Sequence, residues 1–213
     1  MSMLERFRAP KKLELRDKDA GDTPLRDDKK GKLKNGEIKE RERALTVELT
    51  GEIAKLQEKL YAAREQKLLL ILQGMDTSGK DGTVRALFSQ INPMGLHATG
   101  FVAPTDKEKA HDFLWRVHAR VPGKGEIGIF NRSHYEDVLV PRVAGALDDD
   151  ACARRYAQIR DFERMLAETG TTIVKVFLHI SKDEQRERLQ ARLDDPTKHW
   201  KFAVGDLDER KRW

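Results

Sequence analysis

The sequence has little cysteine, no metal-binding motif and no long apolar run. Cys152 is the only cysteine among 213 residues, so no disulfide can form within the chain. The longest purely aliphatic run, 68–72, is far shorter than the roughly 20 residues that span a bilayer. The six histidines show no metal-ligand spacing, and the first residues, with Glu5 and Arg6, lack the apolar core of a signal peptide. These absences favour a cytoplasmic protein without zinc chemistry or a membrane partner.

Charged residues are abundant and nearly balanced in sign. They make up 36% of the chain against 38% apolar residues, which is typical of one modest core with much exposed helix. The 41 basic residues exceed the 36 acidic ones and give a formal net charge of +5. This charge favours a polyanionic partner, and nucleic acid, nucleotides and polyphosphate all stay open at this point.

The first 43 residues differ in composition from the rest of the chain. They hold 14 Lys or Arg and 10 Asp or Glu with few large apolar side chains, so we expect a charged N-terminal arm at 1–43 that does not order independently. Residues 44–213 are predicted to form a single domain. At its start, apolar side chains three or four residues apart predict a long amphipathic helix over about 37–66. The side chains expected to pack on the core are Leu45, Leu49, Ile53, Leu56 and Leu60.

Beyond this helix, predicted strands alternate with predicted helices. Aliphatic or β-branched runs predict strands at 68–72, 97–102, 126–130 and 171–180. Helices are predicted at about 85–90, 105–119, 150–169 and 181–193. The last of these begins at Ser181, with Glu184 three residues later as in a capping box, and ends before Pro196. The alternation predicts an α/β fold with βαβ units around a parallel sheet.

A glycine-rich loop, GMDTSGK at 74–80, directly follows the first strand and precedes a helix, which is the context of a P-loop. Glycines let backbone N–H groups point at phosphate oxygens, the helix N-terminus adds its dipole, and Lys80 adds a cation. The alternative is a glycine turn with an exposed lysine. The predicted phosphate-binding residues of this region are Gly74, Thr77, Ser78, Gly79, Lys80, Gly82 and Thr83.

Two acidic residues depart from the common P-loop pattern. Asp81 stands where a Ser or Thr hydroxyl usually contacts magnesium, and Asp76 lies inside the loop. A carboxylate among phosphates would repel them unless it holds a divalent cation. Asp76 is therefore a predicted Mg²⁺ ligand, with a surface role as the alternative.

A second polar loop, NRSHYE at 131–136, follows the strand at 126–130, at the edge where parallel sheets bind ligands. Asn131 occupies the Walker-B position, with an amide in place of the usual acid, and is predicted to help hold the metal. Arg132 could offset charge that develops during a reaction, with a structural ion pair as the alternative. Glu136 could orient that cation or join the metal shell.

These two loops resemble motifs of the polyphosphate kinase 2 family, in the segments GMDTSGKDG at 74–82 and FNRSHYE at 130–136. The later segment DDPTKHWK at 194–201 is similar to the lid segment of the same family. The resemblance covers about residues 45–213, and three motifs in the right order are more specific than any one of them. It implies a three-layer P-loop kinase fold like that of thymidylate kinase, with a helical lid and dependence on Mg²⁺ or Mn²⁺.

The resemblance also implies an activity, namely phosphoryl transfer between inorganic polyphosphate and AMP, ADP or ATP. Many members carry Asp where this chain has Asn131, and the asparagine is similar to the subgroup that accepts both AMP and ADP. Members continue beyond a position like Trp213, so the resemblance implies a chain shortened at its C-terminus. We also expect a homo-oligomer.

Basic residues on and after the helix at 181–193 could contact the phosphate chain. Arg188 and Arg192 lie four residues apart and share one helix face, so they could clamp successive phosphates. The alternative is a solvated helix in which Glu184 pairs with Arg188. With the resemblance we favour the clamp, and we add Lys201 to the predicted phosphate-binding residues.

The leading hypothesis is metal-dependent transfer from polyphosphate to AMP or ADP. The residues assigned to the reaction centre are Asp76, Lys80, Asn131, Arg132 and Glu136. One alternative is an ATP-dependent nucleoside monophosphate kinase, which shares the fold. Another is a basic nucleic-acid-binding module, which no recognised motif supports. The phosphate donor separates these hypotheses, because only the first requires polyphosphate.

Overall fold

A computed structural model describes residues 3–23, 35–202 and 205–213 of the chain. The larger of two units comprises Thr46–Gly74 and Gly79–Leu178. The smaller unit comprises Met75–Ser78 and the described residues of Met1–Leu45 and His179–Trp213. Within the described ranges, no helix combines the length and apolar character needed to cross a membrane.

Four parallel strands form the centre of the larger unit, in the order β2, β3, β1, β4. Their bounds are β1 Lys67–Gly74, β2 Leu96–Gly100, β3 Ile127–Asn131 and β4 Thr171–Leu178. In the central strand β1, Leu70 pairs with Ile129 of β3 and with Val174 of β4. The unbroken aliphatic run of β1 suits a strand that is covered on both faces. The predicted α/β class with a parallel sheet is confirmed.

Alternate residues of β1 enter two different apolar clusters, because successive side chains of a strand point to opposite faces. Leu69 and Ile71 pack with Phe162 and Leu166 of helix α7 (Asp149–Glu168). The opposite cluster contains Leu72 with side chains of α2 (Asn35–Ala63) and α3 (Lys80–Phe88), namely Leu60, Val84 and Phe88. Helices therefore cover both faces of the sheet, as a three-layer fold requires.

Helix α2 forms as predicted, but a different side of it is buried. Three of the five leucine or isoleucine side chains expected in the core are exposed, namely Leu45, Leu49 and Leu56. Thr50 and Gln57 are buried instead. The Nε2 of Gln57 donates to the carbonyl oxygen of Met94 at 2.8 Å, and this hydrogen bond fixes the rotation of the helix. The prediction of an apolar packing face was wrong for those three residues.

The predicted helix at 105–119 is wrong, because this segment forms two short helices, α4 (Asp106–Lys109) and α5 (Trp115–His118). The Oδ1 of Asp112 accepts a hydrogen bond from the backbone N–H of Leu114 at 2.9 Å, which competes with a continuous helix. The sequence also missed helix α6 (Glu136–Val143), whose pattern is interrupted by Pro141.

The smaller unit contains helix α8 (Lys182–Asp194), followed by a 3₁₀ turn at Pro196–Lys201 and helix α9 (Gly205–Lys211). The side chain of Ser181 accepts from the N–H of Glu184 at 3.1 Å, which confirms the predicted cap. Part of the predicted arm lies at 24–34, outside the described residues, and 35–43 belongs to α2. Before that gap, helix α1 spans Met3–Phe7, and the Oδ2 of Asp17 accepts from the N–H of Lys182 at 3.3 Å.

Candidate active site

The loop at 74–80 connects β1 to α3 and has an unusual backbone. Gly79 has a φ of 98°, in the left-handed region that favours glycine, and it stands directly before the first residue of α3. Thr77 has a φ of 63°, which is rare for a β-branched residue. Conformations of this kind cost free energy and tend to persist at functional sites. The backbone of the loop is therefore consistent with the predicted phosphate-binding role.

Lys80 is buried, with 8% of its surface exposed, and its Nζ donates to the carbonyl oxygen of Gly74 at 2.8 Å. The cation is thus held at the loop itself, and the alternative of a turn with an exposed lysine is wrong. Gly82 and Thr83 follow on the first turn of α3. A Cβ atom at Gly82 would meet open space, so no steric need for glycine exists there.

Thr77 and Ser78 are also buried, with 8% and 7% of their surfaces exposed. Among the described residues, the Thr77 Oγ1 atom has no hydrogen-bond partner. A buried polar atom without a partner costs about 1–3 kcal/mol, so such atoms are rare unless a ligand or an ion supplies the missing contact. This orphaned hydroxyl is adjacent in sequence to the predicted metal ligand Asp76.

Within the smaller unit, α8 contacts the centre of the loop through three side chains. Arg192 Nη1 donates to the Asp76 carboxylate at 3.1 Å, and Gln185 Nε2 donates to the Asp76 carbonyl oxygen at 3.2 Å. Arg188 Nη1 donates to the carbonyl oxygen of Thr77 at 2.9 Å. Gln185 was missed from the sequence, where one of two glutamines in a highly charged helix gives no functional signal.

Both predicted clamp arginines also contact residues outside the loop. Arg188 Nε lies 2.6 Å from Glu184 Oε1, so the ion pair offered as the alternative is present alongside the contact with Thr77. Arg192 Nη1 also donates to the carbonyl oxygen of Lys201 at 3.0 Å. This bond places the backbone of Lys201, another predicted phosphate-binding residue, beside Arg192.

In the larger unit, the loop 131–136 leads from β3 into α6. Asn131 Nδ2 donates to Asp81 Oδ1 at 2.7 Å, so the amide oxygen of Asn131 is the atom that could coordinate a cation. Arg132 has a φ of 65°, and its N–H donates to the carbonyl oxygen of Leu72 at 3.0 Å. This bond ties the start of the loop to the end of β1.

The carboxylate of Glu136 contacts two side chains at the carboxyl end of the sheet, those of Arg132 and Gln73. Its Oε2 lies 3.7 Å from Arg132 Nη1, and its Oε1 accepts from Gln73 Nε2 at 3.2 Å. The structural ion pair considered for Arg132 is therefore present, and the role of Glu136 in orienting the guanidinium stays a prediction. Because 45% of the Arg132 side chain is exposed, its cation stays accessible to an anionic ligand. Gln73 was missed, although it is the first polar residue after the aliphatic run of β1.

The residues near Asp76 fit a divalent cation that takes part of its ligand shell from a substrate. Within the described ranges, no group of three or more His, Cys, Asp or Glu residues could hold a metal ion. Mg²⁺ at phosphoryl-transfer sites usually takes one or two carboxylates and completes its shell with water and phosphate oxygens. The Asp76 carboxylate and the orphaned Thr77 hydroxyl have the oxygen chemistry that this mode of binding requires.

Comparison with known proteins gives consistent matches. The model of the family "Polyphosphate kinase 2 (PPK2)" matches residues 36–213. A protein from Meiothermus ruber named AMP/ADP-polyphosphate phosphotransferase is 58% identical over 170 residues, which cover 80% of this chain and 63% of the relative. A protein from Rhodopseudomonas palustris named ADP-polyphosphate phosphotransferase is 46% identical over 173 residues, covering 76% and 60%.

The crystal structure of polyphosphate kinase 2 from Arthrobacter aurescens TC1 is similar to this chain with a TM-score of 0.87 at 48% sequence identity. The match covers 100% of this chain and 74% of that one. The chain therefore spans only part of these relatives, between 60% and 63% of the length of the two curated proteins.

Proposed function

Because the chain belongs to the polyphosphate kinase 2 family, we propose that it transfers phosphoryl groups between inorganic polyphosphate and AMP or ADP. The observation that carries this proposal is the loop at 74–80, with Asp76 inside it and the buried Lys80 at its end. The amide at Asn131 and the name of the Meiothermus ruber relative support the use of both AMP and ADP as acceptors.

In the proposed reaction, an oxygen of the acceptor's terminal phosphate attacks the terminal phosphorus of polyphosphate. A new P–O bond forms, the terminal P–O–P link breaks, and its electron pair stays on the shortened polyphosphate. The attacking oxygen is already ionised at neutral pH, so the reaction needs no strong general base. Catalysis then depends on positioning the phosphates and on offsetting their charge.

The roles of individual residues follow from this requirement. Lys80 and the backbone N–H groups of the loop would hold the transferring phosphoryl group, and Arg132, oriented by Glu136, would offset developing charge. Asp76 is a proposed ligand of Mg²⁺ or Mn²⁺, and the amide oxygen of Asn131 is a second candidate ligand; such a cation, when bound, would supply neutralisation of phosphate charge. We further propose a cytoplasmic homo-oligomer, for which the single cysteine and the exposed leucines of α2 are the supporting features.

The purified protein is expected to convert ADP to ATP when Mg²⁺ and polyphosphate are supplied and no nucleoside triphosphate is present. Chromatography of all three adenine nucleotides checks this. A parallel reaction without polyphosphate is the control, because disproportionation of ADP would yield ATP and AMP in equal amounts. If ATP or GTP is the only donor that phosphorylates AMP, the protein is a nucleoside monophosphate kinase and the proposal fails.

Substituting Gln for both Arg188 and Arg192 is expected to raise the polyphosphate KM about tenfold or more and to lower kcat less. Contacts with phosphates remote from the reacting one stabilise ground state and transition state alike, so their loss acts on KM. The nucleotide KM should hardly change.

The matched control is Arg186→Gln, because this arginine lies on the same helix with 68% of its side chain exposed. Initial rates measured at several salt concentrations check the prediction, since fewer displaced counterions should weaken the salt dependence of donor binding. An unchanged donor KM and salt slope in the double variant would leave the two arginines with only the role of holding α8 to the loop.

A further inference from the structure

A carboxylate of α7, Glu163, gathers three side chains next to the loop 131–136. Its Oε1 accepts from Tyr135 Oη at 2.9 Å and lies 3.3 Å from His134 Nε2. Its Oε2 accepts from Lys175 Nζ at 2.6 Å, and Lys175 Nζ also lies 3.1 Å from Tyr135 Oη. The Glu163 side chain is 12% exposed, and His134 is fully buried. All four residues belong to the larger unit. None was assigned a role of its own from the sequence, although His134 and Tyr135 lie within the motif at 130–136.

The network keeps Glu163 ionised. Burial alone would raise the pKa of this carboxyl, but hydrogen bonds from His134, Lys175 and Tyr135 lower it to about 2. Burial also favours neutral Lys175, but hydrogen bonds and charge from Glu163 outweigh it and raise the pKa of the amine. Both ions therefore persist at neutral pH, and the His134 Nε2 atom faces a permanent acceptor.

The histidine is not explained by packing alone. When Nε2 donates to Glu163, the Nδ1 of a neutral imidazole is an acceptor, and among the described residues it has no partner. A buried polar atom without a partner costs about 1–3 kcal/mol, whereas an apolar ring would avoid that cost. The ring does pack against Phe130 and Phe162, at centroid distances of 6.4 and 5.8 Å. What the histidine adds to such packing is its hydrogen bond to Glu163.

Two of the three side chains that contact Glu163, those of His134 and Tyr135, are consecutive in the tightly wound loop 131–136. The N–H of Tyr135 donates to Ser133 Oγ at 3.2 Å, and the N–H of Glu136 donates to the carbonyl oxygen of Ser133 at 3.0 Å. The left-handed backbone of Arg132 lies just before them, in a conformation that costs free energy for a non-glycine residue. Fixing residues 134 and 135 from the α7 side therefore restricts the whole segment.

We propose that Glu163 is a positioning residue, which holds His134 and Tyr135 and thereby the conformation of 131–136 that presents Asn131, Arg132 and Glu136. This inference rests on the proposed function for its effect on the reaction. Glu163 itself contacts no substrate, and Lys175 balances its charge. Displacement of reacting groups by about 1 Å can cost about a hundredfold in rate, so a remote anchor of this kind can have a large effect.

The test uses substitutions that separate the loop contacts from the ion pair. Glu163→Ala removes every hydrogen bond that the carboxylate of Glu163 accepts, whereas Glu163→Gln keeps an acceptor oxygen for His134 and Tyr135. Lys175→Met removes the ion pair and the contact of Lys175 with Tyr135 Oη, and it leaves the contacts of Glu163 with His134 and Tyr135 in place. Glu168→Ala is the matched control, because this exposed glutamate lies on the same helix and pairs only with Arg164 among the described residues. For each variant, kcat, both KM values, the melting temperature and amide hydrogen exchange at 131–137 are measured.

Glu163→Ala is expected to lower kcat about ten- to a hundredfold while both KM values change by less than about twofold. Glu163→Gln should recover most of that loss, and Lys175→Met and Glu168→Ala should stay within about threefold of wild type. Exchange at 131–137 should be faster in Glu163→Ala than in Lys175→Met. A kcat near wild type in Glu163→Ala, or an equal loss in Lys175→Met, would overturn the proposal.

Two further outcomes are decided by the same measurements. If the wild-type protein has no polyphosphate-dependent activity, the proposed function fails. Hydrogen exchange alone then tests whether Glu163 holds the segment 131–136. Equal exchange in Glu163→Ala and Lys175→Met would overturn that role in this case. If Glu163→Ala does not fold, Tyr135→Phe takes its place, with an expected fall in kcat of about threefold or more at unchanged KM. An unchanged kcat in Tyr135→Phe would then overturn the proposed positioning role of Glu163.

Discussion

Lys80→Met is expected to lower turnover at least about a hundredfold while the protein stays folded, because it removes the cation that is proposed to hold the transferring phosphoryl group. Methionine keeps most of the side-chain volume at this buried position. The variant also loses the hydrogen bond from Nζ to the carbonyl oxygen of Gly74, and such a bond is worth about 0.5–1.5 kcal/mol. Steady-state kinetics and a thermal melt of the same preparation separate the effect on turnover from the effect on stability.

The control for this variant is Lys67→Met, which makes the same chemical change at the end of β1 that lies opposite the loop 74–80. Lys67 is half-buried at the first residue of β1, far along the strand from the phosphate loop. Turnover in Lys67→Met should stay within about twofold of wild type. Comparable turnover in the two variants would show that the charge of Lys80 does not act on the reacting phosphate.

The sequence predicts the strands and the phosphate loop well, because their signals are local. The aliphatic run of β1 is followed at once by the glycine-rich loop, and both depend only on residues that are adjacent in the chain. The predicted start and end of α8 depend on Ser181 and Pro196, which act on the backbone within one turn. Patterns that depend only on residues close in sequence can be recognised without knowledge of the tertiary structure.

Features fixed by distant partners were not predictable in the same way. The rotation of α2 follows a hydrogen bond from Gln57 to Met94, which are 37 positions apart in sequence. The spacing of its leucines indicated a helix correctly but could not tell which side the core would cover. The interruption of the helix predicted at 105–119 depends on the side chain of Asp112, one polar residue in a segment that also contains several good helix formers.

The candidate site shows the same division between near and distant partners. Its loops were predicted from their own residues, but Asp76 contacts Arg192 across 116 positions, and His134 contacts Glu163 across 29. Both partners lie in helices rich in charge, where one more arginine or glutamate carries no distinguishing pattern. Gln185 is hidden for the same reason, although it is buried against the carbonyl oxygen of Asp76.

Asp76→Asn is expected to lower turnover at least about a hundredfold, since it removes the charge proposed to hold the divalent cation. The amide has nearly the same size as the carboxylate, so packing is retained. Asp183→Asn is the control, because this exposed aspartate makes only a surface ion pair with Arg186 in the described part of the chain. Excess Mg²⁺ should partly rescue Asp76→Glu, in which a carboxylate is kept at a changed distance.

The contact between Asp76 and Arg192 offers a second explanation for such a loss, because the same substitution also removes an ion pair of α8. Arg192→Met separates the two, since it breaks the ion pair and leaves the carboxylate. If the carboxylate binds the metal, this variant should bind Mn²⁺ more tightly than wild type, because a competing cation is gone, and its kcat should fall far less than in Asp76→Asn. Titration of Mn²⁺ followed by electron paramagnetic resonance measures this without any turnover. If Asp76 serves only to hold α8, Arg192→Met should instead reproduce the full loss of turnover, and Mn²⁺ affinity should be the same in wild type and in both variants.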